Sequence, residues 1–292
     1  MRSATALTCL LLACAPDPGA TTTENMSSST GPEGPGTTGG TGTSTGDGTS
    51  GGATTGDPPT TGADTSTGAP AGPCGQPPPF TGVMPQSIEA AGQGRDYDLA
   101  IPADYDPDRA YPLVFAWHGR GGTGELARLY FKVEEAAGGQ AIFVYPDGLP
   151  LPDMNNQTGW DLTPGGEDVA LFDAILADVR ARLCVDDVRA IAPVAGGGPF
   201  GGCAGPVAAW IAHGMSDATV PFAQGEGSRD HWTGANGCDA AADPVDPTPC
   251  VTYTGCDDGF PVHWCAHDEP ALGGHGWPDW AGAAIWSFFA AL

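Results

Sequence analysis

Y-P-L-V-F-A-W-H-G-R-G-G, residues 111–122, is the stretch on which the fold turns. Tyr111 to Trp117 is a short apolar run ending on His118-Gly119, and it reads as a buried strand feeding a glycine-rich loop. Thr123 follows as an N-cap, opening a helix expected to reach about Ala137, where Gly138-Gly139 stops it. Ala141 to Tyr145 then reads as a second strand. Pro146 to Pro164 reads as a long loop rich in proline and asparagine.

Further out, Glu167 to Leu183 has apolar residues at helical spacing, acids in its first turn and arginines in its last, which complements the helix dipole. Val188 to Ala195 and Val207 to Ala212 read as two more strands, and Trp280 to Leu292 as a closing apolar helix. Strands alternating with helices imply an α/β domain with a doubly wound, mostly parallel sheet whose site lies at the strand C-terminal ends. Three motifs fall at such ends: His118-Gly119-Arg120-Gly121-Gly122, His213-Gly214-Met215-Ser216-Asp217, and Gly274-His275-Gly276-Trp277-Pro278.

Before this domain, Met1-Arg2 and the apolar run Ala6 to Ala13 read as a short secretory signal. Leu11-Leu12-Ala13-Cys14 has the small-residue-then-cysteine ending of a bacterial lipoprotein signal, so Cys14 is the expected lipidation site and a lipid anchor the expected membrane contact. Ordinary cleavage and free secretion is the alternative. The organisation expected is a signal over 1–14, a Thr/Gly/Ser/Pro-rich tether over 15–72 that cannot bury enough apolar surface to order itself, and one domain over 73–292. A formal charge of −25 with only ten basic residues argues against nucleic acid, which needs a basic patch, and is read as a solubility feature. Seven cysteines lie in the domain (74, 184, 203, 238, 250, 256 and 265), and in an exported protein they are disulfide material with one left over.

The stretches W-H-G-R-G-G from Trp117, Y-P-D-G at Tyr145, E-D-V-A-L-F-D at Glu167, C-V-D at Cys184, R-A-I-A-P-V-A-G at Arg189, H-G-M-S-D at His213 and G-G-H-G-W-P at Gly273 recur in one order and spacing. Together they resemble the secreted serine esterases of the α/β-hydrolase superfamily, grouped as polyhydroxybutyrate-depolymerase-like and feruloyl-esterase-like enzymes. The resemblance covers nearly all of 74–292. Such enzymes place a serine on a sharp strand-to-helix turn, G-x-S-x-G, ahead of the acid and the histidine. Between the first and second motifs here there is no G-x-S-x-G, and Cys184-Val185-Asp186 runs straight into Asp187-Val188-Arg189-Ala190. The resemblance implies a missing unit of about 20 to 25 residues, comprising one central strand, the elbow and the following helix.

By the same resemblance, His275 is the general base, Asp217 its orienting acid, and the loop of His118, Gly119, Arg120 and Gly121 supplies one oxyanion donor. Each has a plainer alternative: Asp217 shaping a turn, His275 packing in its loop, His118 serving only as a turn residue. Ser216 in Gly214-Met215-Ser216-Asp217-Ala218 superficially resembles an elbow serine but adjoins the acid. Cys203 reads as half of a disulfide rather than a nucleophile, and the His263-Trp264-Cys265-Ala266-His267-Asp268 run as a strand with a bridged Cys265 rather than a metal site. Trp232, Trp264 and Trp277 could stack on a phenolic or sugar ring, with core packing as the default. No metal or cofactor is expected. The function implied is an exported carboxylic-ester hydrolase scaffold acting on small esters or on esters of polysaccharide or polyester. A non-catalytic cell-surface binding protein and a non-functional truncated product are the competing readings.

Overall fold

The computed structural model describes residues 74–152, 155–161, 163, 165–186, 189–199 and 205–292. The signal, the tether, Cys14 and Cys203 lie outside them. The chain opens with a hairpin, β1 (Gly82–Ala90) and β2 (Gln93–Ile101), and then enters β3 (Leu113–Phe115). Thr123 caps α1 (Gly124–Phe131), its side chain accepting from the Leu126 N–H at 3.2 Å. The expected single helix is broken: Lys132 adopts φ 55°, and the chain restarts as α2 (Val133–Ala137) before Gly138. The left-handed turn lets Phe131 and Val133, on either side of it, both bury.

β4 (Ile142–Pro146) follows, and the expected loop holds a small hairpin, β5 (Leu149–Leu151) with β6 (Gln157–Gly159). Then come α3 (Glu167–Arg182), β7 (Ala190–Ile191), β8 (Ala208–Gly214), α4 (Phe222–Ala235), β9 (Ala242–Pro244), β10 (Cys250–Tyr253), β11 (Val262–His267) and α5 (Ala281–Phe289). α3 buries Leu171, Ile175 and Val179 at a spacing of four, one face of a helix. β4 is buried on both faces: Ile142 and Val144 join the α3 core, while Phe143 and Tyr145 join the core under α2 and α5. A strand covered on both sides reads as a continuous apolar run.

The sheet is split. One part has the order β1-β2-β4-β3 and the other β7-β8-β11-β10-β9. Pairing is parallel in the middle, at β3/β4, β7/β8 and β8/β11, and antiparallel at both outer edges. β3 ends one part and β7 ends the other. Between them lies the first residue of a strand: Val185 forms a parallel bridge with Tyr111, the Tyr111 N–H donating to the Cys184 carbonyl at 3.0 Å and the Asp186 N–H to the Tyr111 carbonyl at 2.8 Å. The chain then leaves, and at Ala190 it lies beside β8 instead. Since N–H and C=O groups alternate sides along a strand, Leu113 and Phe115 turn theirs toward the side that Val185 begins to fill.

The two parts share a core in place of a hydrogen-bond ladder. Phe143 and Tyr145 of β4 lie in one apolar cluster with Trp210 and Ala212 of β8, under Ile285, Trp286 and Phe288 of α5. Disulfides Cys74–Cys184, Cys238–Cys256 and Cys250–Cys265 use six of the domain's seven cysteines. Trp232, Trp264 and Trp277 are all buried, so core packing accounts for them.

Candidate active site

β8 and β11 pair in register through His213↔Ala266 and His267↔Gly214, so the turns that follow them emerge side by side. They meet closely. A Cβ on Gly214 would collide with the Gly274 carbonyl, and one on Gly274 would lie 2.7 Å from Ser216 and from the Asp217 nitrogen. Only glycine permits that approach, and it seats the histidine loop on the acid loop.

The result is a short contact between residues 58 apart: His275 Nδ1 donates to Asp217 Oδ2 at 2.8 Å, with the Asp217 side chain fully buried. Asp217 Oδ1 accepts the N–H groups of Thr219 at 2.8 Å and Val220 at 2.9 Å, which fixes the carboxylate's orientation. His213, which the sequence reading passed over, lies on the same carboxylate. Its Nε2 donates to the Val220 carbonyl at 2.9 Å and sits 3.3 Å from Asp217 Oδ2. A histidine four residues before the acid, at the end of the same strand, was the available signal. With Nδ1 protonated toward Asp217, Nε2 of His275 is the basic nitrogen, and it has no hydrogen-bond partner among the described residues. A base so oriented can accept a proton from an attacking group and return it to a leaving one.

The loop after β3 is braced from behind. His118 is fully buried; its Nδ1 donates to the Gly119 carbonyl at 2.6 Å and its Nε2 accepts the Gly148 N–H at 2.9 Å. An Nε2 that accepts requires a neutral ring, and burial pushes its pKa down. Trp160 Nε1 donates to the His118 carbonyl at 2.6 Å, and Thr158 contacts Gly121 and Gly122 through its carbonyl and hydroxyl. The Gly121 and Gly122 amides are thus engaged within the loop, with Thr158 and Gly119. Behind Trp160, Asp168 accepts the Asp161 N–H and forms a buried ion pair with Arg95 at 2.6 Å.

Ser216 is exposed and makes no hydrogen bond to His275. Cys265 is bridged to Cys250, and among the described residues no group of three or more His, Cys, Asp or Glu is placed to hold a metal. His267, beyond Cys265, is buried with neither ring nitrogen bonded and its ring edge-on to Trp280. Burial lowers its pKa. Among the described residues no helix is long and apolar enough to cross a membrane.

No family model matches the chain. It is 33% identical to a probable feruloyl esterase C of Aspergillus niger over 243 residues, covering 68% of this chain and 84% of the relative. It is 30% identical to feruloyl esterase D of Neurospora crassa over 270 residues, covering 76% of this chain and 90% of the relative. Each aligned length exceeds the share of 292 residues that it covers, so the relatives carry residues within the matched span that this chain lacks. The structure of an acetyl xylan esterase from Aspergillus awamori superposes with a TM-score of 0.50 at 13% identity, covering 72% of this chain and 100% of that one, a likeness of fold. With the parallel strands ending in these three loops, the chain belongs to the feruloyl-esterase-like family of α/β-hydrolases.

Proposed function

We propose that this protein is an exported carboxylic-ester hydrolase scaffold of the feruloyl esterase type that keeps the base and the acid of an acyl-transfer site and lacks its nucleophile. The observation that carries the reading is the 2.8 Å His275–Asp217 contact, assembled beside a sheet that is interrupted between β3 and β7. In the complete reaction a serine Oγ attacks the ester carbonyl, and the base takes its proton. Backbone N–H groups hold the oxyanion, the alcohol leaves, and water hydrolyses the acyl-enzyme. Here His275 is the base, Asp217 its acid, and the loop of His118, Gly119, Arg120 and Gly121 the source of one oxyanion donor, which is an amide other than that of Gly121, since Thr158 already accepts from it. The serine and the second donor belong to the unit absent after Asp186, so the chain binds an ester without acylating itself. Its ligands are hydroxycinnamoyl esters of cell-wall polysaccharide or short polyesters.

Hydrolysis of p-nitrophenyl acetate tests this. No turnover above buffer is expected. Turnover abolished by His275→Ala would mean that another group serves as nucleophile, and the binding-only part of the reading would fall. The split sheet favours one further reading, a truncated product unable to fold as a unit. A single cooperative unfolding transition with intact disulfides excludes it.

Three disulfides support an oxidising compartment. Attachment through Cys14 is part of the proposal, and Cys14→Ser is expected to move the protein from the membrane fraction to the soluble one.

A further inference from the structure

We infer that the solvent face of α1 is the contact through which two copies of this chain pair, antiparallel about a two-fold axis at Leu129. The pairing goes beyond ester binding and does not depend on it. Five large apolar side chains are strongly exposed among the described residues, and two of them, Leu126 at 54% and Leu129 at 62%, stand on this one helix. α1 buries Gly124, Ala127 and Phe131 on its inner face. At about 3.6 residues per turn Leu129 lies opposite those three, with Leu126 and the exposed Glu125 beside it at spacings of three and four. A single exposed leucine is ordinary, but two adjoining on the crown of one helix make a ridge.

The charges around the ridge say what covers it. The chain carries −25, so two copies repel on most approaches. Residues 124–137 are nearly neutral, with two bases, Arg128 and Lys132, against three acids, Glu125, Glu134 and Glu135. Along the exposed face the order is Glu125, Leu126, Leu129, Lys132: acid, two leucines, base. Turned end for end about Leu129, that order complements itself. Glu125 of each copy meets Lys132 of the partner subunit, Leu129 meets its own image, and Leu126 falls against Tyr130 of the partner subunit.

The surroundings suit that pairing. Arg128, Leu129, Lys132, Glu134 and Glu135 line an open depression beside the ridge, a hole for a leucine of the second copy. Lys132 lies 3.6 Å from the fully exposed Asp279, a surface pair that contributes little and lets the ammonium turn to a second carboxylate. The Tyr130 hydroxyl accepts the Trp277 N–H at 3.0 Å, two residues past His275, so paired helices set the two histidine loops on either side of one interface. One short helix from each copy buries less than the ~1,200 Å² of a standard interface, so the dimer is weak and exchanges.

Lys132 is the only lysine in the sequence, which makes a carbodiimide cross-link, an amide joining an amine to a carboxylate in contact, a direct probe of this face. The full chain carrying Cys14→Ser is used, so that no acyl chain drives association, and dimers are read on reducing gels, so that no disulfide does. A cross-linked dimer is expected, its joined peptides carrying Lys132 and Glu125. Leu129→Glu is expected to lower its yield at least about tenfold with the melting temperature unchanged, since the side chain is exposed. In sedimentation equilibrium, Glu125→Lys and Lys132→Glu are each expected to dissociate alone and to pair when mixed, because opposite charges then meet again. A parent that forms no dimer through Lys132 overturns the inference, as does a link from Lys132 to any other carboxylate of the second copy. So does a dimer that survives Leu129→Glu, or a mixture of the two charge variants that stays monomeric.

Discussion

Asp217 is the residue on which most of the site depends, because a single buried carboxylate accepts from His275, Thr219 and Val220 and lies against His213. Asp217→Ala leaves those donors facing a void. It is expected to lower unfolding free energy by about 2–4 kcal/mol, measured by urea denaturation. A loss below about 0.5 kcal/mol would mean that the carboxylate does not organise the loops. His118 makes the complementary case for pH. Burial holds its pKa, and those of His263 and His267, below the ordinary histidine value, outweighing Asp147 and Asp168 near His118 and Asp268, Glu269 and Asp217 near His267. The unfolded chain therefore binds more protons than the folded one below about pH 6.5, and stability falls as pH drops from there toward the folded-state values. Each ring contributes up to about 1.4 kcal/mol per pH unit in that window, and urea midpoints at pH 7.5 and 5.5 measure it. A flat profile would place these rings in water. The 2.8 Å His275–Asp217 contact joins two residues that the family resemblance, carried by short motifs at strand ends, had singled out. The clamp at His118 was not legible in the sequence, since its partners Gly148 and Trp160 reach it through a hairpin buried in what read as loop.

At the scale of elements, local pattern served where one face of a segment meets one core. α3 starts at Glu167 as expected and ends at Arg182, one residue short, because acids, apolar spacing and terminal arginines all agree. It failed at Lys132, a good helix former whose left-handed turn answers to tertiary packing. α5 presses Gly282 onto the Phe131 carbonyl there, and a Cβ on Gly282 would collide with it. α4 depends on a similar approach that reaches the site. A Cβ on Gly225 would collide with the His213 ring, whose Nε2 adjoins Asp217. Gly225→Ala would stabilise an isolated helix by up to about 1 kcal/mol, yet in this protein it is expected to destabilise by about 1–3 kcal/mol, because the ring has no room to retreat. Thermal unfolding decides between the two signs. A rise in midpoint would show that α4 packs more loosely than its glycine suggests.

The whole molecule is two half-sheets held by what spans them. α5 covers both, and Cys74–Cys184 closes a span of 110 residues to the point where the chain leaves Tyr111. The sequence already located that point, since Cys184-Val185-Asp186 runs into Asp187 without an elbow. What it left open was how two sheet edges could coexist in one core. The structure answers with a shared apolar cluster in place of a ladder, which leaves the backbone groups of Leu113 and Phe115 on an edge that a central strand would have paired. If that edge is the defect, inserting a strand, a G-x-S-x-G turn and a helix of about 20 to 25 residues between Asp186 and Arg189 should repair stability and chemistry together. The strand would extend the ladder that Val185 begins, its far edge would meet β7, and its C-terminal turn would deliver a serine toward Nε2 of His275. The expected result is a higher melting temperature and p-nitrophenyl acetate hydrolysis that His275→Ala abolishes. An insertion that raises stability without hydrolysis would place the dyad out of reach of the elbow. One that does neither would mean that the two half-sheets have closed on each other and no longer admit a strand.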